Sequence, residues 1–158
     1  RSCAISAEDT GGSLHDRLAA LGADLLEDNL PLWWAGRLEP VPQDDARACY
    51  AAKLDKGEAE LDWRRPARDL ERQVRAFDPW PGAETLCQGE RLRVWSAALG
   101  PAAQGPPGTV QAVSAEGLEV ATGDGSLRLL ELQLPGRRRQ HVREFLNGHP
   151  LRPGQRLG

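Results

Sequence analysis

Three consecutive arginines, Arg137, Arg138 and Arg139, follow Pro135-Gly136, so the turn that Pro and Gly impose projects three guanidiniums together. A guanidinium is a planar fork of donors that matches phosphate oxygens, and several on one turn suit a phosphodiester backbone. Arg128 before the turn and Arg143 after it extend the same patch. A second row lies upstream, where Arg68, Arg72 and Arg75 fall four and three residues apart and Arg65 prolongs the line, the spacing of one helix face. Asp69 and Glu71 share that stretch, and Glu71 stands four residues before Arg75. The row therefore also reads as a solvated face neutralised by its own carboxylates. Lys53 and Lys56 add two cations in a polar connecting stretch.

Other chemistries find little support. Cys3, Cys49 and Cys87 lie about 40 residues apart, without the close pairing of zinc ligands or of a small disulfide framework, and are expected to be reduced thiols. His15, His141 and His149 sit in helix-surface or loop contexts, and none accompanies a thiol or carboxylate at the spacing a nucleophile or general base requires. No catalytic residue, cofactor site or metal site is expected in this chain. Trp33, Trp34, Trp63, Trp80 and Trp95 are side chains on which bases can stack, but packing into a core is the simpler expectation.

The whole chain of 158 residues carries a formal charge of −3, with 40% hydrophobic and 27% charged residues, which suits one small domain with attachments. That acidic balance is unevenly spread. Residues 1–62 hold 6 Lys or Arg against 13 Asp or Glu, a net of −7, and residues 63–158 hold 14 against 10, a net of +4. From Ser126 onward 7 Arg face only Glu131 and Glu144, so the attraction for polyanions belongs to the late part of the chain. No run approaches the length of a membrane-spanning helix and no secretory signal opens the chain, so a soluble cytoplasmic protein is expected. The sequence contains no Met and starts at Arg1, and reads as a piece of a longer or processed chain.

Leu14, Leu18, Leu21 and Leu25 recur every three or four residues, predicting an amphipathic helix from a Ser13 cap to about Asn29, with Leu30-Pro31-Leu32-Trp33-Trp34 as a kinked apolar end. Residues 36–57, with Pro40, Pro42 and the Asp44-Asp45 pair, read as a linker. Residues 58–63 alternate like a short strand, and Pro66 opens a helix whose apolar face is Ala67, Leu70, Val74 and Phe77. Beyond Pro79-Trp80-Pro81-Gly82 the period becomes two, predicting strands at 83–88, 91–96, 109–113, 118–122 and 127–134. A short helix from about 140 to 146 should end at a left-handed Asn147-Gly148. The fold class expected is mainly β: a small five- to six-stranded, oligonucleotide-binding-like Greek-key barrel with one or two short helices, preceded by an apolar helix that must dock against something larger.

Ordered segments add a family resemblance. Asp9-Thr10-Gly11-Gly12-Ser13-Leu14-His15-Asp16, Tyr50-Ala51-Ala52-Lys53-Leu54, Leu61-Asp62-Trp63, Arg75-Ala76-Phe77-Asp78-Pro79-Trp80-Pro81-Gly82, Val120-Ala121-Thr122-Gly123-Asp124-Gly125 and Leu130-Glu131-Leu132-Gln133 together resemble the C-terminal portion of the methionyl-tRNA formyltransferases, across essentially the whole chain. The sequence departs from that pattern at Ala52, where the family usually has Pro, and in an Arg-rich rather than Lys-rich turn at 137–139. The resemblance implies residues 1–37 as the end of a Rossmann-like formyltransferase domain, 38–57 as a linker and 58–158 as a tRNA-binding barrel. It further implies a monomeric parent enzyme that moves a formyl group from 10-formyltetrahydrofolate to initiator methionyl-tRNA. The catalytic Asn, His and Asp would lie outside this chain, leaving it inactive alone. The tRNA-binding candidates are Arg137, Arg138, Arg139, Arg128, Arg143, Lys53, Lys56, Arg68 and Arg72. Sugar-nucleotide formyltransferases and 10-formyltetrahydrofolate dehydrogenase share the Asp-Trp and Pro-Trp-Pro-Gly segments. The arm of such an enzyme, or a stand-alone binding module, remains an alternative.

Overall fold

A computed structural model describes all 158 residues, Arg1–Gly158. Two-residue alternation in the second half of the chain builds an antiparallel sheet from β1 (Ala83–Cys87), β2 (Glu90–Leu99), β3 (Val110–Ser114), β4 (Gly117–Ala121), β5 (Ser126–Gln133) and the two-residue β6 (Gln140–His141). The strands order as β1-β2-β5-β4-β3, with β6 beside β5. Strands β3, β4 and β5 form a meander, and the long connection 100–109 lets β2 lie next to β5, which is a Greek-key arrangement. Gln88 and Gly89 at the β1–β2 turn have φ of 52° and 86°, the pair of positive values that a tight hairpin turn matching strand twist requires.

β1 and β3 do not pair with each other, so the sheet is not closed strand to strand. The C-terminal tail spans the gap instead. Cys87 bridges to Leu157 and Thr109 to Arg156, while Val110 N donates to Gln155 O and Gly158 N to Leu86 O at 2.8 and 2.9 Å. The tail thereby satisfies edge groups that would otherwise be open to other strands.

Helix α2 (Ala67–Ala76) covers the sheet with Ala67, Leu70 and Val74 buried, and Phe77 beyond its end is buried too. Burying Leu70 and Val74 contributes about 1.5–3 kcal/mol each. They join Leu92, Val94, Leu118, Val120, Leu127, Leu129 and Leu132 of the strands, and Val142 and Phe145 of α3 (Val142–Gly148), in one core. No buried side-chain polar atom lacks a partner. Trp63, for example, donates its indole N–H to Thr85 Oγ1 at 3.0 Å within the core.

Helix α1 (Gly11–Trp34) has no buried residue. Leu14, Leu21 and Leu25 are half-buried, whereas Leu18, Leu26, Leu30 and both Trp33 and Trp34 are exposed. Its cap is Thr10 rather than the expected Ser13: Thr10 Oγ1 accepts from Ser13 N at 3.1 Å and Ser13 Oγ from Thr10 N at 3.0 Å, a reciprocal capping box. The helix starts earlier because both glycines are needed for close approach. Gly12 N donates to Asp78 O at 2.9 Å, and a Cβ on Gly11 would sit 2.3 Å from Ala76 O. The helix also runs on through Pro31 to Trp34 instead of stopping near Asn29. Arg37 N to Leu32 O at 2.9 Å and a left-handed Gly36, φ 66°, then end it.

Two further expectations are corrected. Residues 58–63 are not a strand: a 3-10 turn, Lys56–Ala59, is capped by Asp55, and a single bridge joins Glu60 to Glu84. Alternating polarity is met there by one buried Ala59, Leu61 and Trp63 set against a turn. Asn147-Gly148 continues α3 rather than ending it, because neither residue takes a positive φ. Residues 39–58 are exposed throughout.

The docking of α1 centres on Asp9. Its carboxylate accepts from Ser6 N at 2.6 Å, Ser13 Oγ at 3.1 Å and both terminal nitrogens of Arg17 at 2.9 and 2.7 Å, while its backbone oxygen accepts from Arg75 Nη1 at 2.9 Å. Arg17 above all, then the Ser6 amide, hold the Asp9 carboxyl well below the ordinary carboxylate range. Since the folded state resists protonation more than the unfolded chain, this stabilisation is complete above the unfolded value of about 3.9 and is lost as pH falls below it. Thermal melts from pH 6 downward are expected to show wild type losing stability below about pH 4 more steeply than Asp9→Asn, which cannot titrate there. Equal acid sensitivity would remove Asp9 as the source.

Candidate nucleic-acid interface

Alternation along β2 turns Leu92 and Val94 inward and leaves Arg91 and Arg93 exposed. A bulge follows: Val94 pairs with Leu132 and Ser96 with Glu131, so Trp95 is the extra residue, a device that re-aims a side chain. Trp95 donates its indole N–H to Gln133 Oε1 at 2.8 Å. Gln133 in turn donates to Arg137 O at 2.7 Å, which ties the arginine turn to the sheet. The guanidiniums of Arg93 and Arg139 lie over the Trp95 ring, 5.8 and 5.3 Å from its centroid, within cation–π range. Glu84, Arg91, Arg93, Gln133 and residues 134–136 border an open cleft of about 330 Å³. Sequence reasoning missed Arg91 and Arg93. The Arg-Leu-Arg-Val alternation held the signal, but the identity of the facing strand was needed to use it.

The charges at this wall are unequal. Arg139 pairs with Glu131 and lies 3.5 Å from Asp78, Arg138 pairs with Glu144 at 3.0 Å, and Arg91 pairs with Glu84 at 2.8 Å. Arg93 and Arg137 have no carboxylate partner. The Arg138 pair is widely exposed, 76% and 54%, so it opens to a competing anion at little cost.

The remaining candidates lie elsewhere. Arg128 on β5 pairs with Glu119 across the β4 register at 2.7 Å. Nearby, the Ser114 hydroxyl foremost and a backbone amide hold the Glu116 carboxyl below its ordinary range, with Arg128 and Arg143 adding weaker attraction, and the Arg128 side chain lies against Gly117 of the β3–β4 hairpin. Arg68 and Arg72 are exposed on α2 without carboxylate partners, whereas Arg65 pairs weakly with Asp69 at 3.8 Å. Arg75 is structural: Glu71 holds it by an i,i+4 pair, and its other end meets Asp9 O. Lys53 and Lys56 are exposed and unpaired in the stretch before the sheet. Of the five tryptophans only Trp63 enters the core. Trp33, Trp34 and Trp80 are exposed and Trp95 is half-buried, because the apolar segments around them face outward or belong to turns.

The three cysteines are free, with Cys87 buried and its thiol pushed up by desolvation. No group of three His, Cys, Asp or Glu side chains could hold a metal ion, and no helix is long and apolar enough to cross a membrane.

The family described as "Formyl transferase, C-terminal domain" matches residues 53–150, well over half of the chain. The chain belongs to that family. Methionyl-tRNA formyltransferase of Methylococcus capsulatus is 52% identical over 159 residues, covering 100% of this chain and 51% of that protein. Its namesake from Paraburkholderia phymatum is 52% identical, covering 98% and 48%. The chain thus spans about half the length of these curated relatives. Among solved structures, HypX from Aquifex aeolicus superposes with a TM-score of 0.60 at 21% identity over 79% of this chain and 22% of its own. HypX in complex with tetrahydrofolic acid gives 0.59 at 19%, over 85% and 26%. At those identities the likeness speaks for a shared fold alone.

Proposed function

We propose that this chain is the C-terminal part of a methionyl-tRNA formyltransferase. In this reading residues 58–158 hold the initiator methionyl-tRNA backbone, 38–57 are a linker and 1–37 close a formyltransferase domain that uses 10-formyltetrahydrofolate. The observation that carries the reading is identity at half of all positions, along the full chain, with proteins of that name. A wall of outward arginines is the physical support. Cations meeting phosphates position an RNA without reading its sequence, so selection of the initiator belongs to the rest of the enzyme, as do the catalytic Asn, His and Asp. Arg128, Arg137, Arg138, Arg139, Arg143, Arg68, Arg72, Lys53 and Lys56 are the proposed contacts, of which Arg128, Arg138 and Arg139 must first part from Glu119, Glu144 and Glu131.

Titrating the chain with tRNA at rising salt tests this reading. Release of counterions from about four phosphates gives a log–log slope of roughly −3 to −4. Saturable binding independent of salt, or none at all, defeats it.

A further inference from the structure

We infer that the cleft between β2 and the 134–136 turn is an RNA phosphate subsite, with Arg93 as its principal ligand and Arg137 at its edge. This rests on the RNA-holding reading above and departs from the expectation that the triple-arginine turn acts as a unit.

Partner geometry separates the cations. Glu131 and Asp78 both face Arg139, Glu144 faces Arg138 and Glu84 faces Arg91. An anion approaching any of these three must displace a carboxylate or accept a neutralised charge. Arg93 forms no ion pair, its cross-strand neighbour Glu84 being held by Arg91, and it lies over the indole of Trp95, a contact that restrains its side chain without spending its charge. Arg137 meets none either, and Gln133 holds its backbone.

The surroundings are built. Trp95, Gln133 and the Arg137 carbonyl form one hydrogen-bonded chain, at 2.8 and 2.7 Å, and Gly82 leaves room for the indole, since a Cβ there would stand 3.2 Å from its ring. The turn and β2 are therefore fixed relative to each other before an anion arrives. A preorganised fork loses less conformational freedom on binding than a free arginine. The cleft, about 330 Å³, has room for a backbone phosphate, and Arg91 on its wall keeps the Glu84 carboxylate neutralised there.

The test compares tRNA binding by the full chain and by Arg93→Gln, Arg93→Lys and Arg138→Gln, each over a salt series with a thermal melt alongside. Arg93→Gln is expected to weaken binding about tenfold and to reduce the salt slope by about 0.7–0.9, the value of one phosphate contact. Arg93→Lys, which keeps the charge, restores the slope, and Arg138→Gln, whose guanidinium is already paired with Glu144, lowers the slope by less than Arg93→Gln does. Wild-type binding with an unchanged Arg93→Gln slope overturns the subsite while leaving the RNA-holding reading intact, as does failure of Arg93→Lys to restore the slope when it melts like wild type. A wild-type chain that binds no tRNA overturns both.

Discussion

Replacing Arg137, Arg138 and Arg139 together by Glu is expected to lower the affinity of the chain for tRNA about 100-fold at low salt. Two charged hydrogen bonds to phosphate, at about 1.5 kcal/mol each, account for that loss. The effect is large because each substitution both removes a cation and adds an anion beside existing ones. Glu131, Asp78 and Glu144 currently answer Arg139 and Arg138. After reversal they stand unopposed, and the wall repels a polyanion. The loss should shrink as salt rises, since screening over about 10 Å at 0.1 M weakens repulsion as well as attraction. Filter binding or fluorescence anisotropy at two salt concentrations reads both effects. In the methionyl-tRNA formyltransferase proposed above, the same change should raise KM for methionyl-tRNA and leave kcat nearly unchanged, because positioning through phosphates is remote from the reacting amine. An unaltered KM would instead favour an arm that never meets RNA, such as that of a sugar-nucleotide enzyme.

The second large effect concerns stability. Gly123→Ala is expected to destabilise the domain by about 3 kcal/mol or more, a melting decrease of about 6–12 °C for a chain of this size. Gly123 lies between β4 and β5, where its N–H donates to Trp63 O at 2.9 Å and Arg65 O at 3.1 Å. A Cβ would fall 1.8 Å from Arg64 O, a clash with backbone that no side-chain rotation relieves. The 62–65 turn would have to lift away, taking with it the Trp63–Thr85 bond and the Pro66–Asp124 bridge. Arg64 also reaches Asp62 within that turn at 2.8 Å and holds its carboxyl down at about 2. Calorimetry of the variant decides the matter, and a melting temperature within a degree or two of wild type would contradict the packing described for this corner.

Much of the fold was legible because its signals are local. Alternation located five strands to within a few residues, and Leu70 and Val74 marked the buried side of α2. Errors arose where a local pattern had two solutions. Residues 58–63 carry the polarity of a strand but serve a 3-10 turn, and Ser13 looked like a cap until Gly11 and Gly12 proved to be the first helical residues, pressed against Ala76 and Asp78.

The sequence sufficed for the uneven charge, for the mainly β class and for the family resemblance, since composition, period and motif order all lie along one strand of text. Which arginines remain available does not. Arg93 shares Trp95 with Arg139, and Trp95 meets Gln133 across 38 residues, only because β2 pairs with β5. Glu131 neutralises Arg139 because β6 folds back on β5, with Glu131 opposite His141. Coulomb energy depends on distance in space and falls steeply with separation and solvent, so a count of basic residues becomes a surface potential once folding has assigned each cation its neighbours.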